Sequence, residues 1–254
     1  MPRHSGTTLT EEIRRDIATD LRFIAALHAG EPSADFLEAL SAERVEDLFH
    51  FPPRGDVGLD ACDFFERALR ATGREKAEMD ELAADFAAIY LTHAHRVSPS
   101  ESPWIDPEGL VSQDPMFEVR DWYRHYGLQV ANWRMRPDDH LVSQLVFLAH
   151  LFELEDRPHA AADAARFLDR HLLRWIGAFA TGVAERCYTP YWASVARLTE
   201  IWLVGLRDFL VEATGVEREQ MEPLECEKQR RREAMIQHES CAAPTPVGNE
   251  ESGW

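Results

Sequence analysis

The chain has 254 residues, of which 45% are hydrophobic and 10% aromatic, which suits one large core or at most two small ones. Its 27 Lys and Arg residues against 45 Asp and Glu residues give a net charge of -18, which disfavours nucleic acid and anionic lipid and favours basic peptides or proteins, although solubility alone explains it equally well. No stretch approaches the roughly 20 apolar residues that span a bilayer, and the first residues lack the apolar core of a secretory signal, so we expect a cytoplasmic protein.

Helical periodicity begins close to the first residue. Thr8 and Glu11 form a possible capping box ahead of a helix over residues 11–29, where apolar side chains recur at three- and four-residue spacing. Ser33 is expected to cap a second helix, which must end near His50 because proline and glycine follow it.

Two more helices are predicted before the pattern breaks. The first covers residues 59–72 and ends at Gly73, which suits a left-handed cap, and the second covers residues 74–91. Residues 92–115 then show no helical or strand period and carry four prolines. Because the segment is long and contains Trp104, we interpret it as a packed functional loop.

The chain from Pro115 to Gly215 is again helical, without strand alternation, βαβ rhythm or internal repeat. The predicted helices cover residues 115–127, 136–152, 160–187 and 189–215. The second of these is almost wholly apolar, so we expect it to lie at the centre. The predicted fold class is all-α, a single helical bundle of about eight to ten helices over residues 1–215.

Residues 216–254 form a tail of different composition. They have few large apolar residues and are charged, then rich in proline and small residues. We expect a mostly disordered tail with a short helix at about residues 225–237. Cutting the chain after Gly215 should then leave the fold intact.

Motifs of the common enzyme classes are missing from the sequence. It contains no G-x-x-x-x-G-K-[ST] phosphate loop, no G-x-G-x-x-G, no G-x-S-x-G and no E-x-x-H repeat for a di-iron bundle. His93 and His95 lie near Glu101, but two loop histidines are usually polar surface rather than metal ligands. The cysteines lack C-x-x-C spacing and are expected to be reduced thiols. They are Cys62, Cys187, Cys226 and Cys241. We therefore predict a protein without cofactor, metal or enzymatic activity.

The sequence RPDDH at residues 136–140 sets two acids and a histidine at the start of the apolar helix. Asp138 can accept backbone N–H groups there, and Asp139 gains from the positive end of the helix dipole. A cap does not explain His140, whose cationic form that dipole disfavours. Carboxylates at the mouth of a central helix also suit an arginine, which they bind in a bidentate fork. The residues alone leave cap and binding site equally open.

Residues from about 85 to 209 resemble the TorD/DmsD family of all-helical chaperones that mature molybdenum redox enzymes, and are most similar to its DmsD-like members. RPDDH stands where that family has P-D-H or P-E-D-H, and a W-x-x-x-x-G-L element precedes it at the usual distance. The matching stretches are SPSESPWIDPEGLV, EVRDWYRHYGL, RPDDHLVSQLVFLAHL and HLLRWIGAFATGVAERCYTPYWASVARLTEIWL.

The resemblance implies a function and a site. Such chaperones bind the twin-arginine signal peptide and the apo catalytic subunit of a molybdopterin oxidoreductase, and delay its export until the cofactor is installed. Asp139 and His140 are carried over as binding residues, with Pro137 fixing how the chain enters the helix. The implied signal-peptide site comprises Pro137, Asp138, Asp139, His140, Trp104, Trp122 and Tyr126. For each of the three aromatic residues taken alone, core packing is favoured over a binding role.

The sequence leaves two other function classes open. One is a helical enzyme or a nucleotide-binding protein, since GTP binding is attributed to some members of the family, although this chain has no phosphate loop. The other is a scaffold that the acidic surface merely keeps soluble. The family also forms domain-swapped dimers, so the resemblance implies either a monomer or such a dimer.

Overall fold

All regular secondary structure in the described part of the chain is helical, which confirms the predicted all-α fold. The computed structural model describes residues 9–242 apart from 93–96, 133, 135, 155–156 and 158. Its α-helices are α1 (Glu11–Ala29), α2 (Ala34–Ala42), α3 (Gly55–Ala71), α4 (Lys76–Phe86), α5 (Ser102–Ile105), α6 (Asp114–His125), α7 (Leu141–Glu153), α8 (Ala160–Phe167), α9 (Leu173–Arg186), α10 (Pro190–Thr214) and α11 (Leu224–Ala242).

Short turns of other helix types extend this set. A 3-10 turn covers Val45–Leu48, and α4 runs on through a π-helical turn at Ala87–Leu91. A second π-helical turn, Leu168–Leu172, joins α8 to α9 without a break. Taking α8 and α9 as one continuous helix gives nine α-helices in the described part of residues 1–215, within the predicted range of eight to ten.

Helix ends follow the predicted capping signals in part. Ser33 caps α2, its hydroxyl accepting the Phe36 N–H at 3.2 Å, as predicted. The cap of α1 is Thr10, which accepts the Ile13 N–H at 3.2 Å, whereas the predicted Thr8 lies outside the described residues. A threonine two residues later serves equally well, because only its hydroxyl is needed.

Two of the described helices end at left-handed glycines, but the helix for which we predicted such an end does not. Gly127 and Gly215 adopt left-handed φ angles of 74° and 69° after α6 and α10. The prediction for Gly73 is wrong, since α3 ends at Thr72 in an extended conformation. Its predicted start was also late, because the helix already begins at Gly55.

Helix α7 lies in the core, as its apolar sequence predicts. It packs along α1, while α10 packs against α9 and α3. Leu145 and Leu148 of α7 are fully buried, and so are Trp192 and Trp202 of α10 at 1% exposure. Val146 differs, since 38% of it is exposed, so α7 has one accessible apolar side.

Buried aspartates fix loops between helices. Both carboxylate oxygens of Asp20 in α1 accept backbone N–H groups, from His50 at 3.0 Å and from Phe51 at 2.7 Å. Asp85 in α4 likewise accepts the N–H and the hydroxyl of Thr189 at 2.7 and 2.6 Å. Each carboxylate lies far in sequence from the segment that it holds, so the helical period does not reveal its role.

Residues 216–242, the described part of the predicted tail, contact the helical bundle. Arg207 of α10 donates to the carbonyls of Val216 and Glu217 at 3.1 and 2.9 Å, which fixes the chain directly after Gly215. The short helix predicted at residues 225–237 is present and extends over all of α11. Disorder predicted for residues 243–254 lies outside the described residues. The tail docks because its acidic side chains form ion pairs with arginines of the bundle. A low apolar content does not prevent such ion pairs.

Glu227→Gln should lower the free energy of unfolding by about 1–2 kcal/mol. Glu227 is 5% exposed and forms an ion pair with Arg174, which retains Glu101 at 3.9 Å and so limits the loss. Urea unfolding of the full chain measures the change, with Glu225→Gln as the exposed control on the same helix. Equal stability of the two variants would show that the buried contacts of Glu227 contribute nothing to the fold.

Candidate functional site

The predicted acids and histidine lie in a buried turn rather than an open mouth. Asp138, Asp139 and His140 are 3%, 0% and 8% exposed, and Pro137 is half-buried. His140 itself is the N-cap of α7, since its Nδ1 accepts the Val142 N–H at 3.1 Å. Neither acid caps the helix. An accepting Nδ1 places the proton on Nε2, so the capping histidine needs no positive charge beside the helix dipole.

Asp138 does bind an arginine, but one of its own chain. Its Oδ2 accepts from Nε and Nη2 of Arg120 in α6, at 3.1 and 2.8 Å. Its backbone carbonyl accepts the hydroxyl of Tyr123 at 2.8 Å. The turn is therefore fastened to α6 by a charged contact and a neutral one.

Asp139 fastens the turn to the Pro-rich loop. Its Oδ2 accepts the N–H and the hydroxyl of Ser102 at 2.8 and 2.6 Å, while Oδ1 has no hydrogen-bond partner among the described residues. Burial, with a smaller contribution from the charge of Glu101, raises the pKa of Asp139 to about 6. The Asp139 carboxylate therefore holds the Pro-rich loop in place at a cost in desolvation free energy.

Glu101 is the site residue that sequence reasoning missed. It is fully buried, and its carboxylate faces Nδ1 of His171 at 3.1 Å and accepts from Nε2 of Gln144 at 3.0 Å. Its N–H donates to the carbonyl of Asp139 at 3.1 Å. In the sequence, Glu101 stands out only as a charged residue between serines and prolines. Its side-chain partners lie 43 and 70 residues away, so no local pattern connects them to it.

These contacts join residues 97–114 and 137–140 into one body, which we call the loop–turn unit. An antiparallel bridge between Ser100 and His140 adds to it, and the Leu141 N–H donates to the carbonyl of Pro99 at 2.7 Å. The Pro-rich segment is therefore a packed loop, as predicted.

The three predicted aromatic residues do not line one groove in the described part of the chain. Trp104 donates from Nε1 to the carbonyl of Ser98 at 2.8 Å and lines a cavity of 610 Å³ beside α11. Trp122 packs edge-on against Phe167, and the Tyr126 hydroxyl donates to Asp163 at 2.6 Å. All three are half-buried.

An apolar groove opens beside α7, directly after the turn. It has a volume of 350 Å³, and Val142 and Val146 form its α7 side. Leu128 and Val130, which follow α6, form part of the opposite side. The groove continues from the loop–turn unit, because Val142 is the residue that His140 caps.

A wider groove of 690 Å³ presents three arginines, which lie on α8, on α9 and on the π-helical turn between them. Each has an acid partner: Arg166 contacts Asp163 at 2.9 Å, Arg170 contacts Glu219 at 2.7 Å, and Arg174 contacts Glu227. Two of these acids belong to the tail. The charges are neutralised within the chain, so the groove gives no support to phosphate binding.

The residues that the structure describes contain no candidate metal site, and two of their three free thiols are shielded by burial. No group of three or more His, Cys, Asp or Glu is placed there to hold a metal ion, and His93 and His95 lie outside the described residues. Cys62 and Cys187 are free, and burial raises the pKa of both thiols to about 11. None of the described helices is long and apolar enough to cross a membrane.

Known proteins are similar in sequence to this chain over most of its length. Residues 58–181 match the family described as nitrate reductase delta subunit. The chaperone protein TorD of Vibrio parahaemolyticus is 31% identical over 185 residues, which cover 69% of this chain and 86% of that protein. The chain belongs to the TorD/DmsD family of chaperones. The predicted membership of this family is confirmed, although the relatives named here are TorD proteins rather than DmsD-like ones.

Other TorD proteins are similar over more of the chain. TorD of Vibrio vulnificus is 27% identical over 198 residues, or 74% of this chain and 92% of that protein. TorD of Shewanella pealeana is 25% identical over 206 residues, or 76% of this chain and 89% of that protein. These relatives are named chaperones, which confirms the prediction of a chaperone rather than an enzyme. The loop–turn unit and the groove are therefore features of a TorD/DmsD-family chaperone.

Proposed function

We propose that this chaperone binds the twin-arginine leader of a molybdopterin oxidoreductase's catalytic subunit in the cytoplasm, and holds the apo subunit back from export until the cofactor is inserted. The observation that carries the proposal is the apolar groove that opens directly behind the loop–turn unit. A twin-arginine leader offers an arginine pair followed by an apolar stretch, so it needs a polar and an apolar site in succession.

The apolar stretch is assigned to the groove. Burial of apolar surface contributes about 25 cal/mol per Å², and Val146 is an accessible apolar side chain of an otherwise core helix. A segment laid along α7 would bury it together with Leu128 and Val130. This mode suits leaders of varied sequence, because apolar contact demands less exact geometry than hydrogen bonding.

The arginine pair is assigned to the loop–turn unit. Asp138 already accepts two hydrogen bonds from a guanidinium, that of Arg120, which is 22% exposed. A leader arginine binds there by displacing Arg120, the more exposed partner of this ion pair, because Asp138 itself is buried. Asp139 and His140 act in this proposal by positioning, the first holding the loop and the second capping α7. The net charge of -18 attracts the basic leader over a longer range.

Val146→Asp should weaken leader binding at least about tenfold, because a buried charge facing the leader's apolar stretch must be desolvated. Calorimetric titration with a synthetic peptide containing an arginine pair and an apolar stretch measures the change. A lysine-pair version of the peptide tests the arginine requirement, since lysine cannot form the bidentate fork.

Val57→Asp is the matched control, since Val57 is an exposed valine of α3, 55% accessible and outside the groove. It should bind the peptide like the parent, and thermal melts should show both variants folded. If Val146→Asp binds as tightly as Val57→Asp, the groove is not the leader site. If the parent does not bind the peptide, the proposed function fails.

A further inference from the structure

Helix α11 is held to the bundle by charge rather than by apolar packing. Glu227 is the one buried side chain over residues 224–237. The apolar residues at its far end, Met235 and Ile236, are 43% and 65% exposed. Such a helix has no apolar stripe against the core, so its position depends on the ion pairs and hydrogen bonds of its arginines and glutamates.

Two adjacent arginines of α11 contact the loop–turn unit. Arg231 forms an ion pair with Asp114 at 3.2 Å, and Arg232 donates to the carbonyl of Pro107 at 2.9 Å. The helix packs on α5, the short helix within the Pro-rich loop. The loop–turn unit therefore receives an arginine pair in this structure, and the pair comes from the chain itself.

The fit of α11 on this surface is loose. A cavity of 610 Å³ remains between the loop and the helix, with Trp104 on one side and Lys228 and Arg232 on the other. Asp114 is 78% exposed, so water screens its ion pair with Arg231. Close packing would leave no such space. Helix α11 therefore covers the surface of the loop–turn unit without packing closely against it.

We propose that α11 is an intramolecular competitor of the client's leader. The inference rests on the proposed function, because it assumes that a leader places its arginine pair on the loop–turn unit. In α11, Arg231 and Arg232 are followed by Met235 and Ile236, the order of arginine pair and apolar residues that a leader presents. Leader binding then requires α11 to leave its place.

With a competitor in the same chain, the apparent affinity for the leader is the intrinsic affinity multiplied by the fraction of molecules in which the surface is open. Because the contacts of Arg231 and Arg232 are few and partly exposed, we expect a modest factor, about five- to tenfold. A leader that is part of a client subunit can overcome this factor through further contacts. Free peptides and signal sequences of other proteins would be bound less, so the competitor raises selectivity.

The test compares two double variants of the full chain by titration with the synthetic arginine-pair peptide. R231Q/R232Q removes the cations that contact the loop. R15Q/R230Q removes two surface cations as well, but Arg15 pairs with Glu11, and Arg230 pairs with Glu222 and Glu227. Equal net charge in the two variants excludes a general electrostatic effect.

R231Q/R232Q should bind the peptide about five- to tenfold more tightly than R15Q/R230Q. Equal affinity of the two variants would overturn the inference and leave the proposed function intact. Failure of all proteins, the parent included, to bind the peptide would overturn the proposed function, and the inference with it.

Hydrogen exchange of the unmodified chain gives a second readout. Saturating peptide should speed exchange of the amides of α11, because the displaced helix loses its support. The amides of α10 serve as the internal reference. Unchanged protection of α11 in the peptide complex would show that leader and helix bind together, and would also overturn the inference.

Discussion

Arg207→Met should lower the free energy of unfolding by about 3–5 kcal/mol. Arg207 is fully buried within α10 and donates from Nε and Nη2 to Asp169 at 2.9 and 2.8 Å. Its other hydrogen bonds go to the carbonyls of Val216 and Glu217. Methionine keeps the apolar stem but leaves the Asp169 carboxylate uncompensated, and removal of one partner is the costly change in a buried ion pair.

Urea unfolding measures this loss, and two comparisons make it specific. Arg218→Gln removes a neighbouring pair whose members, Arg218 and Asp208, are 41% and 65% exposed, so it should cost less than about 1 kcal/mol. The double variant R207M/D169L should recover part of the loss, because no buried charge then stays unpaired. Equal effects of Arg207→Met and Arg218→Gln would contradict the buried pair as the anchor of the tail.

Asp139→Asn should change the pH dependence of stability by about 3 kcal/mol. Burial raises the pKa of Asp139 from 3.8 to about 6, so between these values the folded state binds the proton more tightly than the unfolded state does. Stability from this group is present below pH 3.8 and is lost as the pH rises through about 6. The parent should therefore lose stability relative to Asp139→Asn between about pH 4 and pH 7.

Denaturant unfolding of parent and variant at several pH values measures that difference. Asp121→Asn is the surface control, since the Asp121 side chain is 72% exposed and pairs with Arg124 at 3.1 Å. The opposite slope, with the parent gaining stability as the pH rises, would mean that Asp139 is ionised in a favourable charged contact. That outcome would place the carboxylate where a basic ligand could bind it directly.

The helices could be predicted from the sequence because their signals are local. The cap at Ser33 and the left-handed Gly127 and Gly215 act within a few residues, so their neighbours in the chain suffice to find them. The apolar run of α7 predicted its place in the core, since nearly every side of that helix is apolar. The RPDDH stretch could be singled out as a candidate site for the same reason, because its residues are contiguous.

Only the tertiary structure decided what the charged residues do. Asp139 binds Ser102, and Asp138 binds Arg120, partners that no spacing rule connects to them. The sequence predicted acids at a mouth, whereas the fold buries them, because the Pro-rich loop folds back over the turn. The acids became anchors for the site's framework, and the accessible feature beside them is the apolar groove.

The tail shows the same division most clearly. Its low apolar content determined that it builds no core of its own, and Met235 and Ile236 are indeed exposed. Its docking depends on two arginines that are distant in the sequence. Glu219 of the tail pairs with Arg170, and Glu227 pairs with Arg174. Periodicity reports which side chains face the core, because burial repeats with the helix turn. Ion pairs between distant segments have no period, so only the assembled bundle reveals them.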